Sequence, residues 1–313
     1  MDDRPDSVPE GRAPADAGAR TGWRAQLVWA ASGAALAVVV FRMLGFADAP
    51  QLDRELLVAA QRGRVDEMRA LVARGADPNA ASAEGWTPLH YAAFLGRERA
   101  ADALLAMGAR VDARAENGQT PLFRAALRGD ADIARLLLSR GASPVARARS
   151  GETPLAAALS SRHRAVAIAL LEHGADPEIR DAATLQTPLL YAAAHRDARL
   201  AAALIDAGAE LDARASTGAT ALVLAAREGA ADVVGLLLDA GADANAASLP
   251  ASGGGTALHE AARRGDAGGV EIARALLAHG ADPARADASG ARAIDVARAV
   301  GSERLVRLLA ERS

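Results

Sequence analysis

Apolar positions in this chain recur on two scales. Within short windows they fall at helical spacing, and across the chain the same windows return about every 33 residues. One window carries a small pair: Ala59-Ala60, Ala92-Ala93, Ala125-Ala126, Ala192-Ala193, Ala225-Ala226 and Ala261-Ala262. Another carries a large pair, Leu104-Leu105, Leu137-Leu138, Leu170-Leu171, Leu237-Leu238 and Leu276-Leu277, with a glycine three residues after each. The pattern predicts two short helices per unit. The first has a small face that lets neighbouring units approach closely, and the second supplies the apolar layer between units. The glycine ends the second helix in the left-handed conformation that it adopts without strain. A unit of this size cannot bury its leucines alone, so stability is expected from the interfaces between units.

Two further markers keep the same period. Thr87, Thr120, Thr153, Thr187, Thr220 and Thr256 are spaced by 33, 33, 34, 33 and 36 residues, and the first three close the strings GWT, GQT and GET, each followed by Pro-Leu. Gly-Ala pairs beginning at Gly75, Gly108, Gly141, Gly174, Gly208, Gly241 and Gly280 repeat in a different phase. Threonine there is suited to cap first-turn amides, and a following proline has the fixed φ of a first helical position. The string Thr87-Pro88-Leu89-His90-Tyr91-Ala92-Ala93 is the fullest version.

These strings resemble the ankyrin repeat family, in which a turn precedes two antiparallel helices, TPLH opens the first and GAD closes the second. The resemblance spans residues 51–313 and implies an all-α ankyrin repeat solenoid of about seven repeats with short hairpin fingers and a C-terminal cap. The first unit lacks TPL and begins LDRELLVAAQRG, and the last has Arg292-Ala293-Ile294 in its place; both departures suit caps. Three irregularities stand out. Leu185 replaces the loop glycine of the fifth repeat, with one extra residue. Arg162 and Arg196 replace the glycine between the helices of the fourth and fifth repeats, which predicts strain in mid-stack. Extra residues within 248–255 are expected to lengthen one finger, and others near Asp266-Ala267-Gly268 the next inter-helix turn.

The first fifty residues follow other rules. Residues 1–24 read as a disordered tail rich in Asp, Pro, Ala, Gly and Arg. Residues 25–47 contain the uncharged run Leu27 to Phe41, with Trp23, Trp29, Phe41 and Phe46 in or beside the segment, which suits a single N-terminal transmembrane helix with interfacial anchors. Arg42 lies near one end, within reach of headgroups. A cleaved signal peptide fits the same run. Domains are therefore expected at 1–24, 25–47 and 48–313. Arginines flank the segment on both sides, so charge does not fix its orientation; a short leader favours repeats outside the cytoplasm, on the periplasmic side of a bacterial inner membrane.

Composition removes other functions. All 36 basic residues are Arg, as a GC-rich bacterial genome produces, which excludes a phosphate-loop lysine, a kinase ATP lysine and a Schiff base. Cysteine is absent, so disulfides, thiolate nucleophiles and Cys-bound zinc are excluded. A net charge of -3 offers nucleic acid no attraction. There is no HExxH, no GxSxG and no clustered His and carboxylate set, so neither catalysis, a cofactor nor a small-molecule substrate is expected.

The expected partner is another protein, with the membrane engaged through residues 25–47. By repeat phase Arg114, Arg147, Arg180 and Arg214 occupy equivalent finger positions, a column able to receive an acidic surface or else to pair with Glu116 and Asp181. Trp86 at a finger tip and Phe94-Leu95 at the end of a first helix are large apolar groups in an alanine-rich chain, suited to anchor a partner or to pack on the first repeat. His90 and His259 hold the TPLH position, where a structural hydrogen bond between loops is expected. A membrane-tethered interaction scaffold fits these features; an immunity factor occluding a toxic enzyme, or an accessory factor for an envelope enzyme, would use the same surface.

Overall fold

The structure, a computed structural model, describes residues 51–180 and 186–312. The segment 25–47 and Leu185 lie outside the described residues. Sixteen α-helices follow one another in pairs among the described residues, and no helix there is long and apolar enough to cross a membrane. The first members of the pairs are α1 (Gln51–Arg62), α3 (Pro88–Leu95), α5 (Pro121–Arg128), α7 (Pro154–Ser160), α9 (Pro188–Ala194), α11 (Ala221–Glu228), α13 (Ala257–Arg264) and α15 (Ala293–Ala299). The second members are α2 (Val65–Ala73), α4 (Glu98–Ala106), α6 (Ala131–Ser139), α8 (Arg164–Glu172), α10 (Ala198–Asp206), α12 (Ala231–Asp239), α14 (Ala267–Ala278) and α16 (Glu303–Ala310).

The helices start where the threonines stand. Thr120, Thr153, Thr187 and Thr220 accept hydrogen bonds at their hydroxyls from the amides of Phe123, Ala156, Leu190 and Val223 at 3.3, 3.2, 3.4 and 3.5 Å. First helices pack on first helices and second on second, so the pairs form a stack in which each unit meets only its neighbours. The Ala-Ala pairs are fully buried between first helices, which pack more tightly than the second helices do and so form the inner, concave side. Leu104, Leu137, Leu170, Leu237 and Leu276 are fully buried in one continuous apolar cluster running from Leu56 to Leu309.

The fingers between pairs are joined one backbone bond at a time. The amides of Glu116, Arg149, Leu249 and Ala288 donate to the carbonyls of Glu84, Asn117, Thr217 and Gly253 in the preceding finger, at 2.9, 2.9, 3.0 and 3.1 Å. Below them, polar side chains hold the loops: Asp53 of α1 accepts from the amide of Asp77, and from one loop to the next Asp112 accepts from Ser143, Asp212 from Asp243 and Asn245 from Asp282. These bonds satisfy backbone donors that would otherwise be orphaned at the repeat edges.

Two of the irregularities change the backbone. Gly96, Gly129, Gly229 and Gly265 close first helices with positive φ; Arg162 and Arg196 take the same conformation, at φ 60 and 57°, and are the non-glycine residues found there among the described residues. A Cβ in that region costs about 1–2 kcal/mol, partly offset in glycine by the greater freedom of its unfolded chain. Arg162→Gly and Arg196→Gly are each expected to stabilise the chain by about 0.5–1 kcal/mol, read as a rise in thermal midpoint. A fall would show that the arginine side chains contribute more than their backbone costs.

The insertions fall differently. The lengthened finger forms a short 3-10 turn, Pro250–Ser252, beside an antiparallel bridge from Ala247 to Thr256. The second insertion does not lengthen the inter-helix turn, contrary to the sequence expectation. Gly265 and Asp266 alone connect α13 to α14, and the extra residues add a turn to α14, 12 residues long. Asp266 is the reason: its carboxylate caps the new helix start by accepting from the amide of Gly269 at 2.7 Å. Gly269 then passes so close to α13 that a Cβ would lie 2.5 Å from the carbonyl of Ala261.

Candidate functional site

The concave side is lined by residues four and seven places after each capping position, since these face away from the second helices. In the second repeat these are Tyr91 and Phe94; one period later they are Arg124 and Leu127. Trp86, from the finger of the second repeat, joins them. Its ring centroid lies 5.0 Å from Tyr91 and 5.5 Å from Phe94, the latter edge to face. The Arg124 guanidinium covers the Trp86 ring at 3.9 Å from its centroid and stands 5.9 Å from Phe94. Phe94 remains 38% exposed, among the few large apolar side chains left open to water.

The cluster is only partly wet, and its titratable groups register that. Burial pulls Arg124 down to about 10, with the Tyr91 oxygen acting the other way. Burial likewise raises the Tyr91 phenol, against a hydrogen bond with Ser82 and with the charge of Glu84 adding to the rise. The finger beneath is held by Ser82, whose hydroxyl donates to Glu84 at 2.8 Å and accepts from the Trp86 amide at 3.2 Å.

The residues singled out by sequence meet this geometry unevenly. Trp86 and Phe94 come together, and Trp86 packs forward onto the third repeat through Arg124. Leu95, the last residue of α3, is half-buried at the helix end. Arg114, Arg147, Arg180 and Arg214 are all exposed at equivalent finger positions. Three of them brace the fingers. Arg114 donates from Nη1 to the carbonyls of Gly118 and Arg147 at 3.4 and 2.9 Å, and Arg214 to those of Gly218 and Ala247 at 2.9 and 2.7 Å. Arg147 donates to Gly151 at 3.0 Å. Thus the guanidinium of one finger closes its own turn and, in two cases, reaches the next.

Arg124 was not legible as a site residue, being one arginine among 36. The available signal was phase: it stands one period after Tyr91. The far end of the concave side is different again. There Glu260, 7% exposed, accepts from Arg227 at 3.1 Å and Arg263 at 2.8 Å, and Arg263 extends to Asp287 at 3.5 Å. Charges at that end are mutually satisfied.

His90 and His259 are buried in the loops, as structural links. In each case the backbone amide of the capping threonine donates to Nδ1 at 3.2 Å, so Nε2 carries the proton and donates to the carbonyl of the next finger, Gln119 or Ala291, at 3.0 Å. Burial holds His90 down at about 4 and lowers His259. No group of three or more His, Asp or Glu among the described residues could hold a metal ion. A cavity of about 140 Å³ between the fourth and fifth repeats, lined by Leu159, His163, Tyr191 and His195, falls short of the roughly 300 Å³ that begins the range of ligand pockets.

Comparison with known families agrees with the repeat geometry. Models of ankyrin repeats match residues 108–181 and 182–248 (three-copy model), 56–105 (many-copy model) and 253–288 (single repeat). No curated protein matches the chain.

Proposed function

The chain belongs to the ankyrin repeat family, whose members typically bind other proteins and are generally non-catalytic scaffolds, and from that premise we propose that it docks a protein partner on its concave side and finger tips. The observation that carries the reading is the Trp86, Tyr91 and Phe94 cluster. Large aromatic side chains are scarce here, with 3% aromatics in all, and three of them are spent on one half-open patch of the binding side. Leu95 borders it. The column Arg114, Arg147, Arg180 and Arg214 extends the surface along the fingers and suits an acidic partner, since one guanidinium nitrogen braces backbone while the fork has further donors.

Residues 25–47 would hold this module in a bacterial inner membrane, a reading supported by the uncharged run and its flanking aromatics, with the repeats in the periplasm. A reporter fused after Ser313 tests the side: periplasmic activity is expected, and cytoplasmic activity would reverse the topology. For the surface, the purified chain is used to capture proteins from envelope extracts, identified by mass spectrometry. Arg147→Glu combined with Arg180→Glu is expected to weaken capture roughly tenfold or more, while the thermal midpoint falls only by the few degrees that the exposed Arg147 bond to Gly151 accounts for. Equal capture by the double variant would remove the arginine column from the surface.

A further inference from the structure

The concave side is electrostatically unequal along its length. At the C-terminal end Arg227 and Arg263 share the buried carboxylate of Glu260. At the N-terminal end Arg124 has no such counter-charge: no carboxylate among the described residues lies within ion-pair distance of it. Its Nε is also buried without a hydrogen-bond partner. The guanidinium carbon lies over the Trp86 ring, 3.9 Å from its centroid, and 5.9 Å from that of the half-open Phe94 ring. A half-desolvated cation with a buried, unanswered Nε and no carboxylate partner is costly to the free protein and is a strong place for a ligand to supply the counter-charge.

We infer that Arg124 is the anchor of the docking surface, and that the partner inserts an aspartate or glutamate carboxylate onto its guanidinium with a neighbouring large apolar side chain against Phe94 and Trp86. This rests on the concave-side reading above and names the chemistry of its partner. Three features define that chemistry. A guanidinium fork matches a carboxylate through paired hydrogen bonds, while the Trp86 and Phe94 rings beside it offer apolar contact to a neighbouring side chain. A single cation neutralises one carboxylate and leaves a phosphate dianion with one charge uncompensated. Glu84, close enough to perturb Tyr91, repels the more highly charged group further. The site also has more to gain from an acid than the finger column, where Arg114, Arg147 and Arg214 each already commit one nitrogen to backbone carbonyls.

The test uses the full-length chain in detergent with Trp23→Phe and Trp29→Phe, which leaves Trp86 as the only tryptophan. A display library of random twelve-residue peptides is selected on it. The enriched peptides are expected to carry Asp or Glu next to Phe, Leu or Trp and to change Trp86 emission on binding. Arg124→Gln should weaken them roughly tenfold or more and Arg124→Lys less, both with an unchanged thermal midpoint. Peptides without a carboxylate, no enrichment, or equal binding to Arg124→Gln would each overturn the inference. If such peptides still weaken with Arg147→Glu and Arg180→Glu, concave docking stands and only the anchor is lost. If no concave substitution affects them, both readings fall.

Discussion

Acidification from pH 7 to pH 4 is expected to weaken the second repeat by about 3 kcal/mol through His90 alone. The ring is fully buried and neutral, with Nδ1 turned to the Thr87 amide and its hydroxyl, 2.9 Å away. Protonation would place a hydrogen on Nδ1 against the Thr87 amide, which already donates to it. Burial therefore depresses the folded value to about 4, and the nearby charge of Arg124 acts in the same direction. The unfolded ring titrates near its ordinary value of about 6.5, so the unfolded chain binds the proton first. Stability is whole above pH 6.5 and drains away as pH falls toward 4. His259 repeats the arrangement and shifts in the same direction.

Urea unfolding followed by Trp86 emission, in the variant with Trp23 and Trp29 replaced, reads this repeat locally, because the Trp86 and His90 rings are 6.2 Å apart. His90→Gln should cost about 2 kcal/mol at pH 7 by loosening buried hydrogen bonds, yet leave a flatter pH profile. Parallel profiles for the two proteins would show that the acid sensitivity arises elsewhere.

The second large effect lies at the fingertips. Gly118→Ala is expected to destabilise by about 3 kcal/mol, and Gly290→Ala by about 1 kcal/mol. Both glycines occupy the same place two residues before a helix cap, at φ 76 and 84°. They differ in what stands above them. A Cβ on Gly118 would lie 2.9 Å from the backbone nitrogen of Arg149, the atom that binds the Asn117 carbonyl, whereas a Cβ on Gly290 meets nothing within 4 Å. The difference between the two thermal midpoints isolates finger stacking from backbone strain. Equal losses would show that the fingers are independent of one another.

The repeat was legible because its chemistry is local. A threonine cap, a left-handed glycine and an alanine pair each act within a few residues, so their positions could be placed before any tertiary contact was known. Arg162 and Arg196 were legible for the same reason, a side chain standing where glycine belongs. What could not be read were directions. Phase put Arg114 and Arg214 on the fingers, yet only the fold turns their guanidinium groups onto the carbonyls of the next finger. Likewise nothing local distinguishes an insertion that lengthens a turn from one that lengthens a helix; Asp266 decided it by capping three residues earlier than its homologues in the stack. The candidate site was half legible: Trp86 and Phe94 by their rarity, Arg124 not at all, because what sets it apart is that no carboxylate among the described residues comes within ion-pair distance of it.

The linkage of each finger to the next alone, together with helices that touch only their immediate neighbours, has a mechanical meaning. Tension applied between the two ends passes through every interface in series, so the weakest one yields while the others keep their shape. Each yield releases one unit of 33 residues, roughly 110 Å of extended chain. Anchored at one end and loaded at the other, such a molecule lengthens in steps and absorbs a jolt without surrendering its whole grip at once.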